Sequence, residues 1–320
     1  MEGRVIMCTV KLGSTNEQVS ALCLGAMYYG TKVDQANSYR LLDQYLDAGG
    51  TFIDSANIYS WWVPGFHGGE SETLLGLWMK ERRNRGQVFI ASKAGFGYGE
   101  VKTGLSALQI QTECEKSLRL LGIETIDLYY AHVDDRQTPQ EETLEAFNRL
   151  VKAGKVRFIG ASNFRAWRLE QADWISQTHK IARYQCVQQR YTYLQPRAGM
   201  GFDPQVAANE DLMDYCRSRG VTLLAYSPLL GGAYTRPEQP LDPPYRGPDN
   251  DNRLARLRAV AGAVGATLNQ VILAWMMQSD PPVLPVFSAS TAGQMKENLG
   301  ALDVKLSAEQ MKQLTSAAGE

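Results

Sequence analysis

The sequence predicts an α/β protein of the (β/α)8 TIM-barrel type, with an N-terminal β-hairpin before the barrel and C-terminal helices closing the chain. Three observations carry this prediction. Short apolar runs of strand character alternate with helical stretches through eight units. No GxGxxG turn follows the first core strand, which argues against the doubly wound alternative. Three of the apolar runs end in titratable residues, on the side where barrel sites are built.

The elements follow in order. Arg4 to Leu12 alternates enough for a strand, and residues 17–24 are its partner or the first core strand. Gly13-Ser14-Thr15-Asn16 supplies the turn between them. Leu22 to Met27 is an apolar strand ending in small residues. Asp34 to Asp47 carries Tyr39, Leu42, Tyr45 and Leu46 at helical spacing and stops at Ala48-Gly49-Gly50. Thr51–Asp54 is a strand, Glu70–Arg85 a helix, Val88–Lys93 a strand, Ser106–Leu121 a helix ending at Gly122, and Ile126–His132 a strand. Thr138 as N-cap with Pro139 at the first helical position opens a helix to Val151. Strands over Val156–Ala161, Tyr184–Gln188 and Val221–Tyr226 alternate with helices over Ala166–Thr178 and Glu210–Arg219. Helices at Leu254–Ala263 and Leu268–Gln278 precede the last strand, Val283–Phe287, and helices at Thr291–Ala301 and Ser307–Ser316 end the chain.

Two irregular insertions follow strand ends. Ser60–Gly69 holds Trp61, Trp62 and Phe66, and Gly231–Asn252 holds prolines at 237, 240, 243, 244 and 248. Loops of this length on a barrel serve as lids or pocket walls. Residues 1–320 read as one barrel domain.

Composition narrows the function. A net charge of -1 with 21% charged residues points neither to nucleic acid nor to an anionic membrane. The basic run Lys80 to Arg85 falls at a helix end, where it complements the dipole. No signal peptide is expected from Met1-Glu2-Gly3-Arg4 and the alternating stretch after it, and no stretch nears the roughly 18 apolar residues of a membrane helix. Cys8, Cys23, Cys114, Cys186 and Cys216 are scattered, without a CxxC pair, so neither a disulfide framework nor a metal site is expected. The expectation is a cytoplasmic protein; no oligomeric state is read from the sequence.

The candidate site comes from strand ends. Thr51-Phe52-Ile53 delivers Asp54, with Tyr59 five residues on; Val88 to Ser92 delivers Lys93; Ile126 to Ala131 delivers His132. Singly, these residues have bland explanations: an ion pair, a solvated lysine, a satisfied buried histidine. In order, each at a strand end, they converge at one rim of a parallel barrel. His67 and His179 have no such company and are expected at the surface. Trp167 and Trp174, seven apart on a helix, are expected to pack.

The phrases FIDSANIY, FIASKAG, IDLYYAH, GKVRFIGASNF, VQQRY, LLAYSPLLGG and QMKENL, in this order, make the chain resemble the aldo-keto reductases over nearly its whole length. The resemblance implies a barrel enzyme moving hydride between a nicotinamide cofactor and an aldehyde, ketone or secondary alcohol, without a Rossmann domain. Its tetrad falls on Asp54, Tyr59, Lys93 and His132. Carbonyl oxygen gains charge as hydride arrives, so a donor must protonate it. A free phenol, with a pKa of about 10, is a weak acid for that task; Lys93, held by Asp54, is expected to lower it. His132 is expected to orient the carbonyl.

For the cofactor, the resemblance implies Ser162, Asn163 and Gln188 at the carboxamide and Tyr226 stacked on the nicotinamide. Ser227, Leu229 and Gly231 fall at the pyrophosphate, and Gln294 and Asn298 at the adenosine. The small residues Gly25 and Ala26, with Met27, let backbone approach the ribose. The family default is NADP(H) over NAD(H). This chain departs from it: no basic residue follows the last strand, where Ser288 and Ser290 stand, and Gln294 replaces an arginine. Arg236 and Arg253, in the long insertion, are the expected substitutes. Asn57, Trp61, Trp62 and Phe96 make an expected pocket of mixed character, suited to a sugar or cyclitol as well as to an aromatic aldehyde. Two other classes stay open: a nicotinamide-binding regulatory or partner-binding subunit with little turnover, and a cofactor-independent barrel enzyme.

Overall fold

Eight parallel strands close into a barrel in the computed structural model, which describes residues 7–236 and 238–316. Before the barrel, β1 (Thr9–Lys11) and β2 (Gln18–Ser20) form an antiparallel hairpin with Val10 opposite Val19. The barrel strands are β3 (Cys23–Gly25), β4 (Phe52–Asp54), β5 (Phe89–Ala94), β6 (Ile126–Ala131), β7 (Val156–Ser162), β8 (Tyr184–Arg190), β9 (Thr222–Tyr226) and β10 (Val283–Phe287). They pair in chain order, and β10 closes on β3. The helices around them are α1 (Gln35–Asp47), α2 (Glu70–Arg82), α3 (Ala107–Leu121), α4 (Gln140–Lys152), α5 (Ala166–His179), α6 (Glu210–Arg219), α7 (Pro248–Val264), α8 (Leu268–Met277), α9 (Ala292–Leu299) and α10 (Ala308–Thr315).

Local chemistry accounts for the helix starts. Side chains of Asp34, Ser106, Asn209, Thr267, Thr291 and Ser307 accept from backbone N–H groups in the first turns of α1, α3, α6, α8, α9 and α10. Thr267 with Gln270 and Ser307 with Gln310 complete capping boxes. Several ends differ from expectation. The N-cap of α4 is Pro139, not Thr138, whose N–H donates to Asp135 Oδ1 instead. Helix α2 ends at Arg82 because Arg83 turns left-handed, at φ 52°. Helix α7 starts at Pro248, six residues before the expected Leu254, because Gly247 and Pro248 make a sound helix entry. Residues 17–24 divide between β2 and β3. The expected strand at Arg4–Ile6, the reading of Met1–Arg4 and Pro237 lie outside the described residues.

Strand periodicity sorts the core into two layers. Alternate residues face inward, and Cys23, Phe52, Phe89, Leu128, Cys186, Leu224 and Leu284 fill the barrel together with Leu12 and Val19 of the hairpin. The hairpin plugs the N-terminal mouth: Gly13 N–H donates to Thr222 Oγ1 at 2.7 Å and Ser14 to Gln185 Oε1. The other face of each strand packs on the helices, and the Tyr45 hydroxyl lies within hydrogen-bonding reach of both Leu22 O and Phe52 O. Helices α2 and α3 approach closely at Gly76, where a Cβ would meet Leu120 O and Leu121 O at 2.6 Å.

Trp167 and Trp174 lie outside the core: they are 57% and 64% exposed on α5, with the Arg136 and Arg168 guanidiniums over the Trp167 ring. Among the described residues no single helix is long and apolar enough to cross a membrane; α7 and α8 qualify only as a pair, across a 94° bend.

Candidate active site

The period that fills the barrel also places its polar end. Two residues beyond Phe52 stands Asp54; beyond Ala91, Lys93; beyond Tyr130, His132; beyond Cys186, Gln188; beyond Leu224, Tyr226. The same inward face that is apolar below turns polar at the C-terminal rim.

Asp54, Lys93 and Tyr59 touch. Lys93 Nζ donates to Asp54 Oδ2 at 2.5 Å, to Tyr59 Oη at 2.6 Å and to Ser55 O at 2.8 Å. The Tyr59 hydroxyl donates to Asp54 Oδ2 at 3.1 Å, and Gln188 Nε2 donates to Asp54 Oδ1 at 2.9 Å. Lys93 and Asp54 are buried. Burial pushes the Tyr59 phenol well above its ordinary range, and the Asp54 carboxylate pushes the same way. The Asp54 carboxylate thus works against the lowering expected from Lys93, whose ammonium stands 2.6 Å from the phenol oxygen. Burial lowers the Lys93 pKa against the pull of Asp54. His132 is held well below its usual range, by burial first and then by the Lys93 charge, so its ring is neutral. The His132 ring meets Tyr59 at 6.2 Å and Phe96 at 4.8 Å between centroids.

Most of the other predicted residues gather at the same rim. Ser162 ends β7 and Asn163 follows it, at φ 63°, in the left-handed region that asparagine enters more readily than other side-chain-bearing residues. Its amide is fully used: Nδ2 donates to His132 O and Ser162 Oγ, and Oδ1 accepts from Val206 N–H and the Tyr226 hydroxyl. Ser227 and Gly231 after β9 are also left-handed, and Leu229 lies half-buried between them. Gly25 leaves no slack, since a Cβ would lie 3.3 Å from Phe287 O. Ala26 N–H donates to Asp54 O, and Met27 O accepts from Ser60 Oγ. At the far side, Ser290 N–H donates to Gln294 Oε1, Asn298 Nδ2 donates to Ser288 O, and Asn37 Nδ2 donates to Ser290 O at 2.8 Å.

Two expectations fail and a third divides. Asn57 is not a pocket wall: it is buried, and its Nδ2 donates to Glu113 Oε2 on α3 at 2.6 Å. Arg253 is no phosphate ligand: it is buried against the Tyr193 ring, with Nε donating to Tyr193 O at 2.9 Å. Trp61 and Trp62 divide. Trp62 stands edge-on to Tyr59 and to Tyr28, at 6.4 Å from each, whereas Trp61 approaches Gly99.

Sequence reasoning missed Tyr28, Arg40 and Glu113. Arg40 Nη2 reaches Asn37 Oδ1 at 3.4 Å and so brings a cation toward Ser290. Glu113 had a signal: it is an ionisable residue in the buried stripe of α3, beside Ile110, Cys114 and Ser117. A cavity of about 960 Å³ opens at the opposite end of the barrel, lined by Lys80, Arg85, Arg119 and Asp127 among others. Arg85 and Arg157 saturate Asp127 there, and no tetrad residue reaches it.

Comparison with known proteins agrees with this barrel fold. The Aldo/keto reductase family profile matches residues 21–318. The chain is 30% identical to an uncharacterised oxidoreductase, YrpG, of Bacillus subtilis, covering 95% of this chain and 93% of that one. It is 30% identical to the aldo-keto reductase yakc [NADP(+)] of Schizosaccharomyces pombe, covering 97% and 91%. Among solved structures, the thermostable aldo-keto reductase Tm1743, crystallised with the inhibitor epalrestat, superposes with a TM-score of 0.76 at 30% identity, over 96% of this chain and 98% of that one. A polar rim on an eight-stranded parallel barrel, a profile match across almost the full length and these relatives together show that the chain belongs to the aldo/keto reductase family.

Proposed function

We propose that the chain is an NADP(H)-dependent reductase of aromatic aldehydes or ketones with Tyr59 as the proton donor. The observation that carries the reading is the 2.6 Å contact between Lys93 Nζ and Tyr59 Oη. It sets a fixed cation against the oxygen that becomes phenolate as the proton leaves.

The residues present fit a nicotinamide. Gln188 spends its Nε2 on Asp54 and keeps Oε1 to accept from a carboxamide, while Ser162 accepts from Asn163 and keeps its O–H to donate. Asn163 must first give up the Tyr226 hydroxyl, which frees that ring to move over the cofactor. When bound, the nicotinamide supplies the hydride for the carbonyl carbon. This chain's residues do the rest. The Tyr59 hydroxyl swings from its long bond to Asp54 and protonates the carbonyl oxygen. Neutral His132 orients that oxygen as a hydrogen-bond donor. Lys93 stays in place and stabilises the phenolate. In the oxidative direction Tyr59 acts as base.

Substrate choice follows the walls. With Asn57 turned away, the polar half of the expected pocket is lost. Tyr28, Trp62 and Phe96 line the approach to Tyr59 and His132, so a planar aromatic carbonyl suits it better than a sugar or cyclitol. For the 2′-phosphate, the hydroxyls of Ser288, Ser290 and Thr291 are supplemented by Arg40 from α1, which takes the role expected of Arg253. The NADP(+) in the name of the fission-yeast relative supports the same preference.

Titration with NADPH and NADH, following quenching of the tryptophan fluorescence, tests the reading. NADPH binding roughly tenfold tighter than NADH is expected from one charge-assisted contact. Binding of neither by the folded chain would overturn it.

A further inference from the structure

Glu113 stands on the buried side of α3 and is 4% exposed. Its Oε2 gathers two donors, Asn57 Nδ2 at 2.6 Å and the Tyr98 hydroxyl at 2.5 Å. Lys116, one turn further along α3, donates to the same Tyr98 oxygen at 2.9 Å and lies over its ring. A carboxyl group buried this far depends on such donors to satisfy its oxygens, and short bonds of this kind hold their partners stiffly.

The two donors belong to different parts of the site. Asn57 lies in the turn that runs from Asp54 to Tyr59, and its N–H donates to Lys93 O at 3.2 Å. Tyr98 lies in the loop after β5, closed by paired bonds to Val101, and Phe96 two residues earlier faces His132. Gly68 of the tryptophan-bearing insertion packs between them: a Cβ there would sit 2.9 Å from Asn57 O and 3.1 Å from the Tyr98 ring. One oxygen on a rigid helix therefore ties together the turn carrying Tyr59 and the loop carrying Phe96.

We propose that Glu113 is a positioning residue that sets the Tyr59 hydroxyl and the Phe96 ring against the substrate carbonyl, acting through Asn57 and Tyr98. The proposal rests on the reading of Tyr59 as proton donor. Glu113 touches neither substrate nor cofactor. It acts by holding the turn whose displacement by about 1 Å is enough to cost on the order of a hundredfold in rate.

The experiment compares Glu113→Ala, Glu113→Gln and Glu113→Asp with the unaltered chain, measuring kcat and KM for 4-nitrobenzaldehyde and the Kd for NADPH. Glu113→Ala should lower kcat by roughly thirtyfold, with the NADPH Kd within about twofold. Glu113→Gln keeps an acceptor oxygen at the same reach and should recover kcat to within roughly fivefold of the unaltered chain. Glu113→Asp is one methylene short and should stay near the alanine value. A kcat for Glu113→Ala within about twofold of the unaltered chain, a glutamine variant no better than the alanine one, or a loss confined to NADPH affinity would each overturn the proposal. If Glu113→Ala does not fold, the order of Glu113→Gln above Glu113→Asp carries the same test, and equal or reversed rates overturn it. Failure of the underlying reading shows separately, as an unaltered chain without turnover or a Tyr59→Phe variant that keeps its rate.

Discussion

Lys93 Nζ stands 2.6 Å from Tyr59 Oη, inside a site where the lysine has no solvent exposure. The lysine serves three groups at once, since Asp54 Oδ2 lies 2.5 Å and Ser55 O 2.8 Å from the same nitrogen. Its removal should act on chemistry and on stability together.

In Lys93→Met, Asp54 loses its cation and stays buried. Breaking a buried pair in this way costs about 3–5 kcal/mol of stability, and losing the charge beside the proton donor costs on the order of 10²–10⁴ in turnover. Thermal melts and single-turnover reduction measured on the same preparation check both. A variant that keeps the melting temperature and rate of the unaltered chain would contradict the account.

The pH profile should be lopsided. Tyr59 is pushed well above its ordinary range, so the protonated form needed for reduction persists through neutral pH. Reduction should be flat near neutrality and fall only in alkaline solution. Oxidation of the matching alcohol should rise as pH rises, because it needs the phenolate. A reduction rate that climbs with pH across the alkaline range would contradict this assignment.

Glu72 makes a separate pH prediction. It is fully buried on α2, with Oε1 accepting from Ser92 Oγ and Oε2 without a partner among the described residues. Burial pushes its carboxyl from 4.5 up to about 7. The folded state therefore holds this proton more tightly than the unfolded chain does. The stability it contributes is fully present below the unfolded value and is lost as pH rises through about 7, to a total of about 3 kcal/mol. Glu72→Gln should be close to the unaltered chain at pH 5 and more stable at pH 8 by up to about 3 kcal/mol. Urea melts at the two pH values decide; a difference independent of pH would sink the assignment.

Gly76→Ala should destabilise without touching the site. The added Cβ would meet two carbonyl oxygens of α3 at 2.6 Å, so the helices must part. A loss of about 1–3 kcal/mol is expected, with kcat per folded molecule unchanged. An unshifted melting temperature would show that the α2–α3 spacing is looser than described.

What the sequence made legible was periodic or terminal. Strand ends pointed to Asp54, Lys93 and His132, because the period of two that buries Phe52 or Ala91 also aims the residue at the strand end, whereas Gln188 was named only through the family resemblance. Side chains in turns and on helix surfaces obey no such rule. Asn57 turns outward because Glu113 lies behind it, and Arg253 folds inward onto Tyr193; neither partner is near in sequence. Trp167 and Trp174 share a helix face, but the face happens to be the outer one, which spacing alone does not reveal. Tyr28 meets Trp62 of the β4–α2 insertion, and Arg40 reaches the segment after β10 only through Asn37, contacts that join residues distant in sequence.

The most direct test of the central claim is the single-turnover rate of Tyr59→Phe with NADPH and 4-nitrobenzaldehyde, with NADPH affinity measured alongside. The account predicts a fall in rate of at least about a hundredfold with NADPH binding within about threefold of the unaltered chain. A variant that binds NADPH and still reduces the aldehyde at more than about half the original rate would show that another group supplies the proton.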